Sequence, residues 1–114
     1  MSNFEYKIYR EVYDNMLAGI KKVEIRLLNE KSSKIKIGDK IKFSVVDDEN
    51  TYLNVRVTNL YHFNNVEDLW ENRNFTIFDK ETSKEKFMKL FYGIFGEDEV
   101  RNHTIIGIEF EIIK

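Results

Sequence analysis

The chain has 114 residues, 42% of them hydrophobic, with 9 Phe, 6 Tyr and 1 Trp, which is enough apolar surface for one folded domain over 1–114 and excludes a disordered chain. It has no Cys, so disulfide scaffolds, zinc-thiolate sites, iron–sulfur clusters and cysteine nucleophiles are excluded together. The net charge of −2 divides unevenly: residues 1–42 carry 10 Lys/Arg against 6 Asp/Glu, and the remainder carry 8 against 14.

An acidic balance disfavours nonspecific binding of duplex DNA, which depends on neutralising many phosphates. The basic first third leaves room for a local cationic surface. Its alternative reading is that Lys31, Lys34, Lys36, Lys40 and Lys42 simply solubilise a hairpin edge. No apolar run approaches membrane-spanning length, and Met1–Arg10 lacks the layout of a secretion signal, so a soluble cytoplasmic protein without membrane contact is expected.

In chain order, Tyr6–Leu17 places Tyr9, Val12, Tyr13, Met16 and Leu17 at three- and four-residue steps, which predicts an amphipathic helix. Gly19 stands just past it, where a left-handed cap favours glycine. Lys22–Leu27 then alternates strictly: Val23, Ile25 and Leu27 on one face, Lys22, Glu24 and Arg26 on the other, a strand. Gly38-Asp39 predicts a turn into a strand through Ile41, Phe43 and Val45. Asp47–Asn50 reads as a polar turn, and Tyr52–Leu60 as the returning strand.

Val66–Glu71 suits one or two helical turns. Thr82-x-x-Glu85 is a capping-box pattern that predicts a helix over Ser83–Phe95, with Gly96 as its stop. Glu97-Asp98-Glu99 reads as a solvated turn, like Asp47-Asp48-Glu49. His103–Ile113 closes the chain as an alternating strand. Four or more strands with two main helices predict an α+β fold: a small curled sheet or barrel with helices at its edge.

The most unusual stretch is Gly19-Ile20-Lys21-Lys22-Val23-Glu24-Ile25-Arg26, at the junction of helix and strand. Glu24 and Arg26 share a strand face about 7 Å apart, and Lys21 stands where parity no longer fixes its direction. Facing a concavity, the three make a site of two cations and one carboxylate. Facing water, they make an ordinary exposed ion pair. His62 and His103 have no partner at metal-ligand spacing, the acidic runs lack calcium-loop periodicity, and no glycine-rich phosphate loop is present, so neither metal nor cofactor is expected.

That motif, with Lys36-Ile37-Gly38-Asp39-Lys40-Ile41-Lys42-Phe43, the late helix and the closing Gly107-Ile108-Glu109-Phe110 strand, resembles the ASCH domain family of the PUA-like superfamily. The resemblance implies a partly open β-barrel with two main helices packed at its edge, and a cleft lined by Lys21, Glu24 and Arg26. It also implies RNA or a nucleotide as ligand, with Arg26 and Lys21 contacting phosphate or a base edge and Glu24 accepting from amino groups. Tyr52, Tyr61, His62, Phe63 and Trp70 are candidate stacking surfaces.

Some members of the family are hydrolases. In the branch that deacetylates N(4)-acetylcytidine, a motif Lys, a Thr three residues on and a Glu near the late helix do the chemistry. Lys21 matches the first. Glu24 replaces the Thr, and Glu81 or Asp79 stands near the third. A carboxylate there suits activation of water rather than acyl transfer, with Lys21 and Arg26 stabilising an oxyanion. Ribonuclease chemistry by the same trio is a further alternative, and a protein-interaction domain with a structural ion cluster is the last. Arg26→Ala is expected to abolish ligand binding while leaving the melting temperature nearly unchanged.

Overall fold

The computed structural model describes residues 3–72 and 83–113. Five strands, β1 (Asn3–Ile8), β2 (Val23–Leu27), β3 (Lys40–Val45), β4 (Asp48–Phe63) and β5 (Ile105–Ile112), form one sheet in the order β1-β3-β4-β5-β2. Only β1 and β3 pair in parallel; the other neighbours are antiparallel. The described helices are α1 (Arg10–Leu17), α2 (Val66–Glu71), α3 (Lys84–Phe95) and α4 (Glu97–Asn102), with a 3-10 turn at Ser32–Lys34. The sheet curls into a partly open barrel with helices at its edge, the α+β fold expected.

The first strand corrects the helix expected over Tyr6–Leu17, because residues 3–8 pair with β3 and only Arg10–Leu17 is helical. Tyr6 and Ile8 alternate with exposed Glu5 and Lys7, a period of two hidden inside the helical spacing. In register with Phe43 and Val45, Tyr6 and Ile8 become core residues. Tertiary pairing overrides local pattern here. The helix that remains packs through Val12, Tyr13 and Met16, while Tyr9 and Leu17 are exposed.

The hairpin turn sits at Val46-Asp47, and β4 runs 16 residues, well beyond the expected Tyr52–Leu60. A bulge between Val57 and Asn59 explains how it stays useful over that length. Before the bulge Leu53, Val55 and Val57 face the barrel interior with Phe43, Ile106, Ile108 and Phe110. After it the parity flips: Leu60 faces that interior, while Tyr61 and Phe63 turn to the other side. There Phe63 joins Leu27, Val66, Leu69, Phe91, Val100 and Ile105 in a second core beneath the helices.

Strand β5 is the shared wall of both cores, with Ile106, Ile108 and Phe110 on one side and Ile105 on the other. Gly107 lies under the Phe63 ring: a Cβ there would stand 3.2 Å from Phe63 Cε2 and 3.4 Å from Val23 Cγ1.

Ser83 caps α3, its hydroxyl accepting from the Lys86 amide, whereas Thr82 of the expected capping box lies outside the described residues. Gly96, at φ +87, ends α3 as expected. The acidic run after it is not a solvated turn but the first turn of α4, where three carboxylates favour the positive end of the helix.

Candidate functional site

Two short-range devices set the position of Lys21. Gly19, at φ +78, terminates α1 in a conformation that other residues adopt at a cost. The Asn15 carbonyl then accepts from both the Ile20 and Lys21 amides, at 2.9 and 3.0 Å. The junction is thereby fixed, and the Lys21 side chain is tucked in rather than out.

Strand β2 supplies the other two groups. Its odd residues face the helical side, Leu27 within the second core and Ile25 packed on it. Glu24 and Arg26 therefore face the barrel side, beside Ile108 and Ile106 in the register. The exposed alternative for this face is thus not the one adopted: Lys21 is 8% exposed and Glu24 6%.

The carboxylate of Glu24 is held from both ends. Its Oε1 lies 3.5 Å from Lys21 Nζ, and its Oε2 accepts from Arg26 Nε at 3.0 Å and Nη2 at 2.8 Å. Lys21 also donates to the Val23 carbonyl at 2.9 Å. A carboxylate removed from water needs such compensation, because a lone buried charge is costly. Lys21, Glu24 and Arg26 are thus one connected ion cluster.

Arg26 is the outermost member, its side chain 24% exposed. It also crosses the barrel opening. Strands β1 and β2 are the two edges of the sheet, yet Arg26 Nη2 donates to the Lys7 carbonyl of β1 at 2.9 Å. Lys31, just beyond β2, donates to the Glu5 carbonyl of the same edge. Side-chain cations stitch the seam that backbone pairing leaves open. Arg26→Ala would therefore also cut this tie between the edges, which argues against the expected nearly unchanged melting temperature.

Sequence reasoning missed two residues at this seam. Tyr6, read as helical, presents its ring to both cations: Arg26 Cζ lies 4.6 Å and Lys31 Nζ 4.0 Å from its centroid. Its hydroxyl is buried with no hydrogen-bond partner among the described residues. Burial pushes the Tyr6 phenol above its usual range, with Arg26 opposing and Glu24 reinforcing. Lys31, read as a solubilising lysine, has its ammonium held below the usual lysine range by burial and by the neighbouring Arg26. The alternation of Phe4, Tyr6 and Ile8 was the available signal for Tyr6; nothing in the sequence marks Lys31.

The remaining candidates are dispersed. Phe63 is core, and Trp70 stacks on Phe87 with centroids 5.5 Å apart. Tyr61 donates to Glu109, and Tyr52 stands outside the barrel beneath Lys42 Nζ, 4.4 Å from its centroid. Of the five, Phe63 is thus unavailable for stacking. His62 is exposed, and His103 Nδ1 approaches the Glu99 carbonyl at 2.7 Å. Glu81 and Asp79 lie outside the described residues.

Among the described residues no cluster of His, Asp or Glu is arranged to hold a metal, and no helix is long and apolar enough to cross a membrane. Two surface hollows lie elsewhere, and neither is lined by the trio. One of about 310 Å³ is bounded by Asn64, Glu67, Tyr92 and His103. Another of about 510 Å³ is bounded by Phe4, Glu5, Lys40 and Lys42.

No family model matches the sequence, and no curated protein matches it. Solved structures do. The chain is similar to the crystal structure of hypothetical protein PH0355, at 26% identity and TM-score 0.83, over 98% of this chain and 100% of that one. It is similar to the NMR structure of protein PF0455 from Pyrococcus furiosus, at 23% identity and TM-score 0.73, over 99% of each. It also matches the ASCH domain from Lactobacillus crispatus, at 14% identity and TM-score 0.66, over 96% of this chain and 79% of that one. A curled mixed sheet with this strand order, carrying the helix-to-strand motif at its open edge, has the fold of that ASCH domain structure.

Proposed function

We propose that the seam between β1 and β2 binds RNA or a nucleotide, with Arg26 as the contacting residue and Lys21 and Glu24 as its electrostatic support. The observation that carries this is the partial exposure of Arg26 at the end of a buried ion cluster. Its Nε and Nη2 are committed to Glu24 and Lys7, while Nη1 makes no hydrogen bond among the described residues. A planar guanidinium with one fixed edge and one spare edge is pre-organised to bind phosphate or the acceptor edge of a base. Glu24 both orients that group and lowers the local positive charge, which favours a specific ligand over indiscriminate polyanion binding.

The hydrolase reading draws less support. Both oxygens of Glu24 are engaged by cations, and Lys21 is drawn to the Val23 carbonyl. A base for water would have to work from within that cluster.

The test is a titration of the full chain with short single-stranded RNA and with cytidine nucleotides, followed by fluorescence anisotropy and calorimetry. Arg26→Lys keeps the charge and loses the fork, and is expected to weaken binding at least tenfold, about 1.4 kcal/mol. Absence of binding by wild type, or undiminished binding by the variant, defeats the proposal. Turnover of N(4)-acetylcytidine that disappears in Lys21→Ala would establish the hydrolase instead.

A further inference from the structure

We infer that Tyr6 and Lys31, with Arg26, form an anion-binding half-site at the seam, so that the ligand is held through a phosphate group rather than as a neutral nucleoside. The inference rests on the reading of the seam as a binding site and specifies what that site grips.

Three donor-bearing side chains meet at the Tyr6 ring, and the acceptors within reach do not match their donor capacity. The Tyr6 hydroxyl, on a residue only 9% exposed, has no partner among the described residues. Buried tyrosine hydroxyls nearly always have one, because leaving it unmade is expensive. Lys31 directs its ammonium to the face of the Tyr6 ring and to the Glu5 carbonyl, and among the described residues no carboxylate lies within ion-pair distance of it. Arg26 Nη1 is likewise uncommitted.

Two cations brought to one aromatic ring repel each other, and the burial that depresses the Lys31 ammonium makes the repulsion stronger. The nearest carboxylates are occupied. Glu24 is bound by Lys21 and Arg26, and Glu5 accepts from Ser44 and lies near Lys7. The complement of a hydroxyl donor, an ammonium and half a guanidinium is an oxygen-rich anion of tetrahedral shape, which a phosphate monoester or diester supplies. Bound there, it would neutralise the two cations and, once the seam parts enough to admit it to the buried hydroxyl, supply the phenol's missing acceptor.

The experiment compares four probes on the full chain by calorimetry: inorganic phosphate, cytidine, cytidine 5′-monophosphate and a single-stranded RNA octamer. Wild type is expected to bind the monophosphate or the RNA at least tenfold more tightly than cytidine; which of the two is tighter distinguishes a terminal phosphate from a backbone diester. Tyr6→Phe removes one oxygen atom and keeps the packing, and is expected to weaken the phosphate-bearing probes roughly ten- to a hundredfold, the order expected of one hydrogen bond to a charged group. Lys31→Met is expected to weaken them similarly and to reduce the salt slope of RNA binding by about 0.7. Neither variant should change cytidine binding, and Tyr6→Phe should melt no lower than wild type.

Cytidine bound as tightly as its monophosphate, or wild-type affinity of both variants for every probe, overturns the half-site while leaving the seam a binding site. Failure of wild type to bind any probe overturns both.

Discussion

Replacing Glu24 by Gln tests the central electrostatic argument. The substitution keeps the shape and removes the negative charge between two cations. The amide oxygen can still accept from Arg26, but the amide nitrogen would then face Lys21, whose side chain is 9% exposed. Breaking a buried ion pair by neutralising one partner typically costs 3–5 kcal/mol. The lower end applies here, because Arg26 is partly solvated and keeps the Lys7 carbonyl, and Lys21 keeps that of Val23. A loss of about 3 kcal/mol is expected, or a midpoint shift of roughly 2 M urea at an m value of about 1.5 kcal/mol/M. The control is Glu97→Gln, whose partner Arg101 lies at the same 2.8 Å but with both side chains more than 60% exposed. That variant should lose no more than about 1 kcal/mol, since an exposed pair and one carboxylate in the first turn of α4 each contribute little. If Glu24→Gln loses less than about 1 kcal/mol, or the two variants behave alike, burial does not govern the strength of the cluster and the reasoning fails.

Two further outcomes follow from other parts of the structure. Gly107→Ala, which sets a methyl 3.2 Å from the Phe63 ring, should destabilise by about 1–2 kcal/mol through overpacking; urea unfolding at wild-type stability would contradict the close approach. The carboxyl of Glu5 is held below its usual value of 4.5, chiefly by the Ser44 hydroxyl and then by Lys7 and Lys42. Its contribution to stability is therefore complete above the unfolded value and lost as pH falls through the lowered folded one. In Ser44→Ala the Glu5 titration, followed by carbon NMR, should move up toward 4.5; an unmoved midpoint would assign the shift to the lysines instead.

Much of this architecture is written in local periodicity. The alternation of β2, the β3–β4 hairpin, the late helix and β5 are legible because each buries a regular set of positions. The motif at Lys21, Glu24 and Arg26 is legible as well, but its direction is not: alternation alone cannot say which face of an edge strand is wet. That depends on the curl of the sheet and on β1, which the helical spacing of Tyr9, Val12 and Tyr13 conceals. Parallel pairing of β1 with β3 joins segments more than thirty residues apart, and no short-range pattern encodes it. The bulge in β4 is similarly silent, since its signature is a change of parity that becomes visible only against β5. Tyr6 and Lys31 acquire their interest from the same long-range closure, so they could not stand out beforehand. The opening turn of α4 is illegible for a different reason: clustered acids suit a solvated turn and a helix start equally well.

The bulge near Thr58 has a mechanical consequence. By rotating the tail of β4 half a turn, it makes one continuous ribbon line two separate chambers, and β5 backs both. Residues beneath the helices and residues beneath the charged seam are thus successive links of the same chain: Ile105 and Gly107 on one side, Ile106 and Ile108 on the other. A disturbance of the helical lobe has only the thickness of a peptide plane to cross before it reaches Glu24 and Arg26. The two compartments should therefore loosen together, and amide exchange along 105–108 should report events on either side.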